Sequence, residues 1–128
     1  MASTVQEEMA SSFQTLWDPT WNDRGLGTAC FSEVSPGNNN EMPAALVELA
    51  FHDNADDALY LKHPRFRRDA SRAMYRGVVR YFAERDGITP DFLPEPPESV
   101  SLVHDGAGGL ELSWIPGPTG APYGDPAV

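Results

Sequence analysis

The chain has 128 residues, enough for one modest domain or for pieces of two, and its 41% apolar share suits a globular protein better than a disordered one. Its formal charge of -10 argues against a nucleic-acid binder, because phosphate contacts need a surplus of Lys and Arg. No run approaches the roughly 20 apolar residues that cross a bilayer, and the single cysteine, Cys30, forbids an internal disulfide.

The distribution of charge says more than its sum. Of nine basic residues, all but Arg24 lie between Lys62 and Arg85. Such a concentration is ordinarily one helix with a solvated basic face, though it could also steer a charged partner. The opening residues, MASTVQEEM, are acidic and lack an apolar stretch, so no signal peptide is expected in this chain.

In chain order, Val5, Met9, Phe13, Leu16 and Trp17 follow a helical rhythm, predicting a helix over 3–17. Thr4 and Glu7 have the spacing of a capping box at its start. Asp18-Pro19 ends it, since the residue before proline is pushed out of helical geometry. Residues 28–34 mix β-branched, aromatic and small side chains and read as a short strand, with Cys30 as a small buried hydrophobe. The dense turn formers of 35–40 then predict a loop. Residues 44–51, Ala-Ala-Leu-Val-Glu-Leu-Ala-Phe, form the kind of apolar run found in a strand buried on both faces. The loop of 35–42 is short for a parallel crossover, so the two strands are expected to be antiparallel if they pair.

One charge, Glu48, interrupts that run. A carboxylate in a core strand is costly unless it sits at an end or meets a partner. The residues leave two readings open: a functional acid, or a structural one bound to a neighbouring backbone or arginine.

Asn54 is a good cap for a helical turn over 55–59, with Asp56 and Asp57 at its positive end. The strongest helix starts at Pro64. Its apolar stripe runs Phe66, Ala70, Ala73, Met74, Gly77, Val78, Tyr81 and Phe82, while Arg68, Arg72, Arg76 and Arg80 are spaced along another face expected to be wet; Gly87 stops it. Residues 88–97 hold Pro90, Pro94, Pro96 and Pro97 and read as a stiff linker. Beyond them, 100–103 and 110–114 alternate around a glycine-rich turn, a hairpin signature, and the tail from Pro116 adds no core former beyond Tyr123.

The segment Pro43 to Phe51, followed by Asn54, Asp57 and the helix through Phe82, resembles the end of the zinc-dependent N-acetylmuramoyl-L-alanine amidases, which carry Pro-x-x-Leu-Val-Glu-x-x-Phe-x-x-Asn there. The resemblance covers about 1–86 loosely and 42–82 well. It implies a peptidoglycan hydrolase of the bacterial cell wall in which Glu48 is catalytic, assisting a zinc-bound water that attacks the amide between N-acetylmuramic acid and L-alanine. It further implies that zinc is held by two histidines and a glutamate lying upstream. His52, His63 and His104 lack that context, so no stoichiometric zinc is expected on this chain and catalysis by it alone is not expected. Residues 96–114 resemble the opening strands of a fibronectin type III domain, whose second-strand tryptophan would be Trp114.

The expected fold class is therefore α/β: a partial three-layer amidase-like domain over 1–87, with two helices, two strands and one long C-terminal helix. A linker over 88–97 and an incomplete β-sandwich hairpin over 98–128 follow, as though truncated at both ends. Peptidoglycan is the implied partner, in the periplasm or outside the cell. Exposed apolar faces are expected to invite self-association. The competing reading is a non-catalytic fragment that binds the cell envelope through its basic helix.

Overall fold

The structure, a computed structural model, describes residues 1–127 and divides at Pro90 into two compact units. Val128, the last residue of the 98–128 segment, lies outside the described residues. The first unit holds α1 (Ala2–Leu16), α2 (Ala55–Lys62) and α3 (Pro64–Asp86), with a single 3-10 turn at Ser32–Val34.

Helix α1 starts three residues earlier than the capping-box spacing predicts, with Met1 rather than Thr4 at its cap position. Thr4 sits inside the helix, and its hydroxyl donates back to the Met1 carbonyl at 2.8 Å. No side chain caps the start, and Glu7 turns instead toward Arg80 of α3. The cap of α2 is built as expected: Asn54 accepts from the Asp56 and Asp57 amides at 2.9 and 3.1 Å. Pro64 opens α3, whose missing amide suits a first-turn position, and Gly87 closes it at φ +68°, a left-handed geometry that costs glycine little.

The core lies between α1 and α3. Phe13 and Phe66 are fully buried and stack with ring centroids 5.0 Å apart. Val5, Met9, Ala70 and Ala73 complete the buried cluster, and Trp17, Trp21, Tyr60 and Leu49 pack on it. Burying one such large side chain contributes roughly 1.5–3 kcal/mol, so this cluster is what holds the helices together. The helix backbones come close together at Gly77, where a Cβ would stand 2.4 Å from the Cα of Val5.

The predicted stripe of α3 is buried at Phe66, Ala70, Ala73 and Gly77, but Val78 and Phe82 remain 37% exposed. The arginine face is not uniformly wet. Arg76 is buried at 5% exposure, because Glu8 of α1 meets it with a 2.9 Å bond from Nε. An ion pair at that distance offsets the cost of removing the guanidinium from water.

Neither apolar segment of the first unit forms a strand. Residues 44–51 run outside any helix or ladder, and the predicted strand over 28–34 curls instead into the turn at Ser32–Val34. The expected antiparallel pairing of these two segments therefore does not arise. A strand satisfies its amides and carbonyls only against a neighbour, and among the described residues no neighbouring strand flanks either segment. Apolar composition alone cannot supply that ladder. Cys30 is exposed rather than buried.

The strand content of this mixed helix-and-strand fold lies in the second unit. There β1 (Glu98–His104) pairs antiparallel with β2 (Leu110–Ile115), Leu102 opposite Leu112, with a register shift between Glu98 and Ser101 where Ser99 adopts φ 49°. Asp105 organises the turn by accepting from the Ala107 and Gly109 amides at 2.7 and 2.9 Å, which lowers its pKa. The stretch before the hairpin is tied to the tail through Phe92 and Asp125, whose carboxylate accepts from the Phe92 amide at 2.7 Å.

Candidate functional site

Glu48 stands in an irregular segment and is exposed. The strand buried on both faces expected around it does not form, because among the described residues no neighbouring strand flanks it. Its neighbours are fixed more firmly than the absence of a ladder suggests. Leu49 packs against the aromatic core, and the Phe51 amide donates to Asp57 Oδ2 at 2.9 Å. The Arg24 guanidinium lies 5.0 Å from the centre of the Phe51 ring.

Asn54 and Asp57 thereby gain a structural meaning. Asn54 starts α2, and Asp57, in the first turn, accepts from the Phe51 amide. The spacing Phe51, Asn54, Asp57 is that of a helix start with the preceding chain bound to it. It sets the direction in which the chain carrying Glu48 arrives.

The three histidines are dispersed. His52 and His63 are exposed, the latter with its ring 5.1 Å from Trp17, and His104 accepts from the Gly106 amide through Nδ1 at 2.9 Å. Among the described residues no three His, Cys, Asp or Glu side chains gather as a metal set would require. The described residues therefore do not by themselves make up a zinc site. A hollow lined by Cys30, Phe31, Val34 and Asn38 contains no carboxylate or imidazole to serve as a base.

Two charged arrangements were not foreseen in the sequence. The first joins Glu7 and Glu8 to Arg76 and Arg80, with Arg80 Nη1 donating to Glu8 at 3.0 Å; hydrogen bonding to Glu8 is the chief cause that raises the Arg80 pKa. The second centres on Asp69, which is 9% exposed. The Trp17 indole donates to its Oδ2 at 3.1 Å, while the Nε atoms of Arg65 and Arg68 lie 3.5 and 3.6 Å from its two oxygens. Those arginine side chains remain 55% and 69% exposed.

Residues 1–80 match the family described as N-acetylmuramoyl-L-alanine amidase. Over 82 residues, 64% of this chain, the sequence is 34% identical to 15% of N-acetylmuramoyl-L-alanine amidase LytC of Bacillus subtilis strain 168. It is 32% identical over 82 residues, again 64% of the chain, to 14% of an uncharacterized cell wall amidase of Bacillus anthracis. A germination-specific N-acetylmuramoyl-L-alanine amidase of Bacillus subtilis strain 168 shares 34% identity over 47 residues, 37% of the chain and 20% of that protein. The chain thus spans about one-seventh of the length of the first two relatives. No solved structure gives a significant match.

Proposed function

The chain belongs to the N-acetylmuramoyl-L-alanine amidase family, and from that premise we propose that it is a fragment of a peptidoglycan hydrolase cleaving the amide between N-acetylmuramic acid and L-alanine. The observation that carries the reading is the match over residues 1–80, which takes in the whole Pro43–Phe51 segment together with Asn54 and Asp57.

Within this reading Glu48 is the proton acceptor for the attacking water. Its carboxylate is exposed to solvent beside Leu49, which packs on the core, and a positioned general base contributes typically 10²–10⁴-fold to a hydrolysis. Zinc is proposed for the complete enzyme, held by residues other than those described. The fragment by itself is expected to be inactive. The site of action is the cell wall, outside the cytoplasm, in keeping with the names of its relatives. Among the described residues no helix is long and apolar enough to cross a membrane. The hairpin of the second unit is read as the opening strands of a fibronectin type III-like module.

The test uses a longer amidase polypeptide that contains residues 1–128 and digests purified sacculi. Glu48→Gln should lower release of stem peptides by at least about 10²-fold while leaving sacculus binding intact. An unchanged rate of release removes Glu48 from the mechanism. A second, non-catalytic reading, attachment to the cell envelope, is favoured by the exposed Arg65 and Arg68.

A further inference from the structure

The basic residues of this chain are sorted by the fold into neutralised and outward-facing sets. Arg76 and Arg80 are matched by Glu7 and Glu8, and Arg85 is bonded to Asp86 at 2.7 Å. Between positions 62 and 68, by contrast, Lys62, Arg65, Arg67 and Arg68 follow one another with no acid among them, and Asp69 comes next. Arg67 is turned inward, donating through Nη1 to the carbonyls of Leu61 and Lys62 at 2.9 and 3.0 Å, where it satisfies the end of α2. Arg65, whose guanidinium lies 5.6 Å from the centre of the Trp17 ring, and Arg68 keep their side chains 55% and 69% exposed.

The Asp69 carboxylate gives this pair its form. Being buried and bonded to the Trp17 indole, it is a fixed post, and it draws two guanidiniums to adjacent positions on one side of α3. Three residues of helix separate their Cα atoms by roughly 4.5 Å along the axis. Two planar cations at such spacing, with one buried counter-charge between them, retain a net positive charge. Guanidinium forks suit phosphate oxygens in two-point contact.

We propose that Arg65 and Arg68, positioned by Asp69, form with the exposed Lys62, three residues before Arg65, an anion-binding strip for a linear phosphodiester-bearing polymer of the cell wall. The inference rests on the wall-hydrolase reading and adds to it a contact that is independent of Glu48. A small anion would gain little here, since exposed ion pairs contribute about 1 kcal/mol at most. A polymer carrying many phosphates rebinds before it escapes, so a weak strip becomes an effective tether. With the chain as a whole at -10, this strip is also the surface that a polyanion can approach, which orients the molecule on the wall. Nucleic acid is disfavoured by the same charge, and two or three contacts fall short of the 6–10 typical of a tight DNA binder.

The full chain is titrated with purified sacculi that carry phosphodiester-linked polymers and with sacculi stripped of them. Two or three phosphate contacts predict a roughly five- to twentyfold loss of affinity between 50 and 200 mM salt. A comparable loss is expected on stripping. Soluble poly(glycerol phosphate) should compete, and poly-glutamate of equal charge should compete at least threefold less. R65Q/R68Q should lower affinity at least tenfold, with circular dichroism and a thermal melt confirming the fold. Should that variant unfold, R68Q alone, at the more exposed position, should still cost threefold or more and R68K should restore most of it. E48Q should bind as the wild type does, so that failure of the strip and failure of the catalytic assignment are seen separately. Equal binding to stripped sacculi, insensitivity to salt, equal competition by poly-glutamate or by duplex DNA, or wild-type affinity of a folded R65Q/R68Q protein would each overturn the proposal.

Discussion

Glu8 shows how one side chain sets the character of a helix face that is far away in sequence. It sits on α1 at 12% side-chain exposure and bonds to both Arg76 and Arg80 of α3. The row Arg68, Arg72, Arg76, Arg80 reads as a wet face because like charges at four-residue spacing repel and seek water. That reasoning sees one helix at a time. The neighbouring acids Glu7 and Glu8 were the available signal, but nothing local in the sequence says that they cross α3 near its middle. Replacing Glu8 by Gln leaves the Arg76 guanidinium buried without its full counter-charge, and breaking a buried pair in this way costs about 3 kcal/mol. Urea unfolding of E8Q against the wild type should show a loss of that size. A change below about 0.5 kcal/mol would mean that Arg76 is solvated after all.

At the scale of elements, what was legible is what short-range chemistry dictates. Asn54 and Gly87 mark helix ends because a side-chain oxygen or a left-handed glycine satisfies orphan backbone groups, wherever the rest of the chain goes. The hairpin was legible for the same reason, from alternation around a glycine turn. Residues 28–34 and 44–51 were not, because a strand is a property of a pair and their composition describes only one member. Glu48 inherits that gap: its position in the motif could be read, and its burial could not. Gly77 was read as part of an apolar stripe, whereas its role is to let two helix backbones meet. Gly77→Ala should therefore destabilise. Alanine gains up to about 1 kcal/mol in helix propensity, but a Cβ placed 2.4 Å from the Val5 Cα forces the helices apart, an overpacking cost of typically 1–3 kcal/mol. A net loss near 1 kcal/mol or more in a thermal melt is expected, and V5A should not rescue it, since the obstacle is backbone. A melt at or above the wild-type temperature would show that the crossing is looser than described.

For the whole molecule, two forces of opposite sign compete. Leu102, Leu110, Leu112 and Trp114 are all more than half exposed on the hairpin of the second unit, and Leu46 and Phe51 are nearly half exposed in the first. Apolar surface of this kind draws copies together, with a strength that rises with the area removed from water. A net charge of -10 on each copy keeps them apart. Salt shortens the reach of the repulsion from about 30 Å at 0.01 M to about 10 Å at 0.1 M and leaves the apolar attraction intact. Self-association of the chain should therefore strengthen as salt rises, the reverse of what the arginine strip requires of wall binding. Sedimentation velocity across that range should show the shift toward heavier species, and L102E/L112E, which places two carboxylates opposite each other on the hairpin, should diminish it. If the wild-type chain stays monomeric at every salt concentration, its exposed apolar residues are too scattered to act as one surface.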